Sequence, residues 1–160
     1  QSPDYVVGEL NRLMFEELET EHYFTIVLAM LDLTTGHLVG CQAGHPHPVV
    51  ARATGEYELI GDGGLPVGLI PDATFTSFEC EIRPGDRLLL GSDGMTECED
   101  PNGMQLEDEG LIDLMRKNDQ LAGVSYLEGL VGDLTVFAET NDFADDVSAL
   151  LLEFQRNVAD

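Results

Sequence analysis

The chain of 160 residues carries 7 basic against 31 acidic side chains, a formal charge of −24, and is 43% hydrophobic. That charge opposes binding to nucleic acid or to an anionic membrane surface, and the hydrophobic content is too high for a disordered acidic tail. The length predicts a single domain, residues 1–160, with enough chain to bury a core. No apolar run reaches the roughly 18–20 residues that span a bilayer, and no basic-then-apolar leader opens the chain. The first residue is Gln1 rather than Met, so a piece processed or excised from a longer protein is expected. Cys41, Cys80 and Cys98 are odd in number and form no CxxC pair. This argues against a disulfide framework or structural zinc and for a reducing, cytoplasmic setting.

Ser2, Pro3 and Asp4 supply a cap, a first-turn proline and a first-turn anion for an N-terminal helix. Val6, Val7, Leu10, Leu13, Met14 and Leu18 follow at helical spacing, with Glu9, Glu16, Glu17 and Glu19 largely elsewhere. The run from Phe24 to Leu33 then predicts a strand buried on both faces, turning at Thr34-Thr35-Gly36 into a second strand over His37 to Ala43. Val49 to Arg52 and Tyr57 to Ile60 flank Thr54-Gly55 as a shorter hairpin. A Gly-rich loop follows at Asp62 to Leu65. Phe75 to Ile82 alternates polar and apolar residues, and Arg87 to Leu90 is a short apolar strand running into Gly91-Ser92-Asp93-Gly94.

The last third reads as helical, then closes with a strand. Leu111, Ile112, Leu114 and Met115 support a helix ending near Asn118. Ser125 and Glu128 have capping-box spacing ahead of Leu130, Val131, Leu134 and Phe137. Gly129 and Gly132 each weaken that helix by about 1 kcal/mol relative to Ala, so it needs tertiary support. Val147 to Phe154 is the closing strand. Helix, strand meander, two helices and strand make an α+β architecture with antiparallel sheets and helices packed outside.

Two places put carboxylates at the edge of an apolar strand: Asp93, after Leu88 to Ser92, and Asp145-Asp146, before the closing strand. Adjacent like charges are costly to bury unless a cation or donors compensate, and Asp93 with Asp145 offers the oxygen ligands that Mg²⁺ or Mn²⁺ prefers. An ordinary turn at Asp93 and a solvated loop at Asp145-Asp146 account for the same spacing. His45 and His47, separated by Pro46, offer metal ligation or general-acid chemistry, or a structural hydrogen-bonding loop. Cys98 has no base beside it in sequence, and Gly61-Asp62-Gly63-Gly64 lacks the lysine of a phosphate-binding loop.

The succession Phe24-Thr25, Leu31-Asp32, Thr35-Gly36, Ala43-Gly44-His45-Pro46, Gly64-Leu65-Pro66-Val67-Gly68-Leu69, Pro84-Gly85-Asp86-Arg87-Leu88-Leu89-Leu90, Ser92-Asp93-Gly94-Met95-Thr96-Glu97 and Asp145-Asp146-Val147-Ser148 resembles the bacterial PP2C-like serine/threonine phosphatases of the SpoIIE and RsbU type. The resemblance covers about residues 3–154. It implies a sandwich of two antiparallel β-sheets flanked by α-helices, with a two-metal site for Mg²⁺ or Mn²⁺ at one end. By the same resemblance Asp93 and Asp145 match metal ligands with catalytic roles, and Asp146 is the neighbour in the second ligand pair. The implied substrate is a phosphoserine or phosphothreonine protein such as an anti-sigma-factor antagonist. A receiver or sensor domain is expected upstream in the parent chain.

The family pattern also places a strand ending in Gly-Gly-Asp, and an Asp-x-Ser-Gly-His-Gly segment, ahead of the first helix. Neither occurs in this sequence, so the domain is expected to lack its N-terminal strands and to hold at best an incomplete metal site. The alternative is a catalytically degenerate adaptor that grips a sigma factor or antagonist, its charge steering basic partners. Sheets short of their first strands would also expose edges that favour pairing as a homodimer.

Overall fold

The computed structural model describes residues 1–17 and 22–155. Leu18 and Glu19, placed above on the first helix, lie outside the described residues. The described chain falls into two compact units, one from Gln1–His47 and Leu59–Pro84, the other from Pro48–Glu58 and Gly85 onward.

In the first unit, helix α1 spans Pro3–Glu16. Ser2 occupies the cap position, but its side chain caps no helix amide. Asp4 instead accepts the Ser77 hydroxyl at 2.6 Å, and that bond holds its carboxyl below the usual range. Val7, Leu10 and Met14 pack on Cys41, Ala43 and Val67. Strands β1 (Ile26–Leu31) and β2 (His37–Ala43) form an antiparallel hairpin in register from Ile26↔Ala43 to Leu31↔Leu38. The turn is set by Asp32, whose Oδ1 accepts the Thr34 amide at 2.7 Å, and by Gly36 at φ 80°. Strand β5 (Ser77–Glu81) pairs with the other side of β2, so the sheet order is β1-β2-β5. The two-faced burial expected for the first strand belongs to β2 instead. β2 is central, whereas β1 lies at the sheet edge with Ala29 and Met30 exposed.

The second unit is built on a four-stranded sheet of order β4-β3-β6-β7, with β3 at Val49–Ala51, β4 at Tyr57–Leu59, β6 at Arg87–Gly91 and β7 at Ala149–Glu153. Helices α2 (Asp93–Thr96), α3 (Glu107–Lys117) and α4 (Gly123–Ala138) complete it. Leu89, Met95, Leu111, Met115, Tyr126, Leu130 and Leu134 form its core. Burying this many full-sized apolar side chains is the principal stabilising term, about 1.5–3 kcal/mol for each.

One detail differs from the sequence reading and two others give it a physical cause. α4 begins at Gly123, so Ser125 lies inside the helix rather than capping it. Gly129 is a packing requirement: a Cβ there would stand 2.2 Å from the Asn118 side-chain oxygen. Asn118, which ends α3, spends its amide on the Leu114 carbonyl and on Asp133 of α4. The tertiary support that α4 needed is therefore delivered at its glycine.

Candidate functional site

The β6–β7 pairing explains how residues distant in sequence meet. Antiparallel register runs from Arg87↔Glu153 to Gly91↔Ala149, and continuing it sets Ser92 opposite Ser148 and Gly94 opposite Asp146. The chain follows that course past the end of the strands. The Ser92 amide donates to the Ser148 carbonyl at 2.9 Å, and a Cβ on Gly94 would lie 2.5 Å from the Asp146 carbonyl oxygen and 3.3 Å from that of Asp145. Asp93, Asp145 and Asp146 thus gather at one end of one strand pair. Asp93 opens a four-residue helix rather than an ordinary turn. The space beside the glycine after it is occupied by this chain's own backbone.

All three carboxylates are exposed. Asp93 Oδ1 accepts the Gly94 amide at 3.1 Å and Asp145 Oδ1 accepts the Asp146 amide at 2.7 Å. Each of these two carboxylates therefore has one oxygen fixed by a neighbouring amide, and its other oxygen has no hydrogen-bond partner among the described residues. Such a donor set is hard, oxygen-only and suited to Mg²⁺ or Mn²⁺ rather than to a thiophilic metal. Among the described residues no group of three His, Cys, Asp or Glu side chains is placed to hold a metal ion. Two carboxylates fall short of six oxygens, so a bound cation would need water or further residues.

Beside this corner lies a cavity of about 440 Å³ lined by residues including Gly94, Glu97, Cys98, Asp100, Asp142 and Asp145. The sequence reading missed its acidic wall. The signal was the turn Asp100-Pro101-Asn102-Gly103, where Asp100 accepts the amides of Asn102 at 2.8 Å and Met104 at 2.9 Å and returns the chain to a Glu99↔Gln105 bridge. Cys98 is buried against the cavity and its thiol pKa is pushed up by that burial, which leaves it a poor nucleophile.

His45 and His47 belong to the first unit. His45 Nδ1 lies 3.0 Å from the Pro46 carbonyl and His47 Nδ1 lies 3.4 Å from that of Ile60. Buried Gln42 secures the same loop, donating to the His45 carbonyl at 2.6 Å and accepting the Gly63 amide at 2.7 Å. These contacts fit the structural reading of the histidine loop. Among the described residues Cys41, Cys80 and Cys98 form no disulfide, and no helix is long and apolar enough to cross a membrane.

Comparison with known proteins places this geometry. Phosphoserine phosphatase RsbP of Bacillus subtilis is 26% identical over 156 residues, 95% of this chain and 37% of that protein. Phosphoserine phosphatase RsbU of the same organism is 26% identical over 102 residues, 63% of this chain and 30% of that protein. The chain spans 15–37% of the length of the curated relatives it matches. Among solved structures, the SiaA-PP2C domain of Pseudomonas aeruginosa matches with a TM-score of 0.82 at 18% identity, over 96% of this chain and 61% of that one. The phosphatase domain of SpoIIE from Bacillus subtilis matches with a TM-score of 0.72 at 16% identity, over 97% and 66%. Two antiparallel sheets with flanking helices are thus the fold of PP2C-like phosphatase domains. The family model described as stage II sporulation protein E (SpoIIE) matches residues 1–155, and the chain belongs to that SpoIIE family of PP2C-like domains.

Proposed function

We propose that this chain is part of a divalent-metal-dependent serine/threonine protein phosphatase, with Asp93 and Asp145 as metal ligands and Asp146 as their neighbour in the site. The observation that carries this reading is the convergence of Asp93 and Asp145 at the end of the β6–β7 pair, each with an oxygen left over. Bound Mg²⁺ or Mn²⁺ would supply charge stabilisation at the phosphoryl oxygens and a nucleophilic water at neutral pH. The chain's own part is to orient. The Gly94 and Asp146 amides fix the rotation of the two carboxylates, so their second oxygens are presented without a conformational search. RsbU and RsbP are named as phosphoserine phosphatases, and this supports a phosphoserine or phosphothreonine protein as substrate. An anti-sigma-factor antagonist in the cytoplasm, met by a chain with a sensor or receiver domain upstream, is the specific form of the proposal. A net charge of −24 favours encounter through basic patches on the partner.

The test is hydrolysis of a phosphoserine protein by the full-length protein with Mn²⁺. Asp93→Ala is expected to lower the rate by about a hundredfold or more, and chelator to abolish it. Equal activity in the variant, or activity that survives chelation, overturns the proposal. The shortfall of clustered ligands among the described residues favours one second reading, a non-catalytic adaptor on the same scaffold. An absence of Mn²⁺ binding by calorimetry in the full-length protein, with partner binding retained, would select it.

A further inference from the structure

We propose that Ser92 is a positioning residue that sets the separation of Asp93 and Asp145, an inference that rests on the phosphatase reading above. Ser92 stands at the cap position of α2 with extended backbone, φ −69° and ψ 163°, yet its side chain caps no helix amide. A serine at such a position ordinarily turns its hydroxyl onto the helix. Here the hydroxyl turns across the sheet end instead, donating to the Asp146 carbonyl at 2.8 Å and accepting the Ser148 amide at 2.9 Å. With its own amide donating to the Ser148 carbonyl at 2.9 Å, one residue makes three hydrogen bonds to the segment that leads into β7.

The consequence follows from what flanks those bonds. Asp93 is the next residue after Ser92, and Asp145 the residue before the pinned Asp146 peptide. On the other side, the bare Cα of Gly94 lets the Asp146 carbonyl sit where a Cβ would stand 2.5 Å away. The Asp146 carbonyl is thereby caught between a hydroxyl and a glycine, and the two carboxylates are tied through two adjoining residues. Asp146 and Ser148 are themselves exposed, so water can take over their hydrogen bonds when the hydroxyl is removed. Such a loss leaves the fold intact and loosens the geometry. Supporting groups of this kind typically change metal affinity by about 10–100-fold.

The experiment uses the full-length protein, with Mn²⁺ titrated by calorimetry and unfolding followed by Tm. Ser92→Ala and Ser92→Cys are expected to weaken Mn²⁺ binding by about 10–100-fold, with Tm little changed and activity recovering at saturating Mn²⁺. Ser92→Thr keeps the hydroxyl and is expected to restore wild-type Mn²⁺ affinity. Unchanged affinity in Ser92→Ala overturns the inference, as does a Ser92→Thr variant as weak as the alanine. Unfolding of both Ala and Cys variants assigns the hydroxyl to fold stability and overturns it too. A wild-type protein that neither binds Mn²⁺ nor needs it for hydrolysis refutes the underlying phosphatase reading instead.

Discussion

The two units use buried and exposed polar groups in opposite ways. In the first unit the conspicuous polar residues are committed to internal bonds. Asn11, 2% exposed on α1, donates to the Ile70 and Pro71 carbonyls at 3.0 Å and accepts the Gly68 amide at 2.8 Å. Gln42 is spent in the same manner on the histidine loop. In the second unit Asp93 and Asp145 are exposed and each commits one oxygen to a neighbouring amide. A buried polar group with every partner supplied fixes a loop, because an unmade bond there costs the full desolvation penalty. An exposed carboxylate with spare acceptor capacity fixes little in the fold and is available to a ligand. The contrast separates residues that build the scaffold from residues that would do chemistry on it.

Two buried polar residues of the second unit, Asn118 and Asp86, break that division, and Asp86 gives the largest expected effect. Asp86 is 2% exposed and pairs with Arg52 at 2.8 Å while accepting the Ala53 amide at 2.9 Å. Removing it by Asp86→Ala strands the Ala53 amide and leaves the largely buried Arg52 guanidinium to Glu58 alone of its two carboxylate partners, and should cost about 3 kcal/mol in denaturant unfolding. A loss below about 1 kcal/mol would mean that the pair is solvated in solution. Next comes Asn11→Leu, which strands the Gly68 amide and two carbonyls beneath α1. A loss of about 2–3 kcal/mol is expected, and a neutral result would show that the 68–71 loop re-forms its bonds elsewhere. Asp93→Asn should alter unfolding by no more than about 0.5 kcal/mol, as surface substitutions do, even where it removes metal-dependent activity. A large drop in Tm for that variant would put Asp93 among the scaffold residues and erase the contrast between the units.

What the sequence disclosed follows the range of the interactions involved. Hairpin β1–β2 was legible because Asp32-Thr34-Gly36 turn chemistry is local, and the end of α3 at Asn118 because capping is local too. The burial of β1 was misread because an apolar run reports hydrophobicity and not the order of strands in the sheet. Helix α2, four residues long, is too short to show a period. The burial of Asp86 depends on Arg52, 34 residues away, which no local pattern reports. Asn11 did leave a trace, one helical turn after Val7 on the buried stripe of α1. At the candidate site Asp93 and Asp145 stood out by their places beside apolar strands and by family resemblance. The part of Ser92 did not, since it exists only once β6 and β7 are in register.

A further small effect tests whether the helices of the second unit contribute through charge as well as packing. Asp133 of α4 is partly buried, which raises its pKa, but the bonds from Lys117 and Asn118 outweigh that and hold it below the ordinary aspartate value of 3.8. A carboxylate whose folded pKa is depressed contributes stability that is fully present above its unfolded pKa and is lost as pH falls through the folded one. The contribution should therefore be intact at neutral pH, begin to shrink near pH 3.8, and be lost below the depressed folded value. Lys117 is well exposed, so screening keeps the ion pair itself to less than about 1 kcal/mol. Comparing Tm for wild type and Asp133→Asn at pH 7 and again near pH 3 isolates it, because other acids titrate alike in both proteins. The wild type should be the more stable at pH 7 and the gap should narrow on acidification. A gap that stays constant would trace the effect of Asp133 to the uncharged hydrogen bonding of Asn118, and α3 and α4 would then be joined by packing and neutral bonds alone.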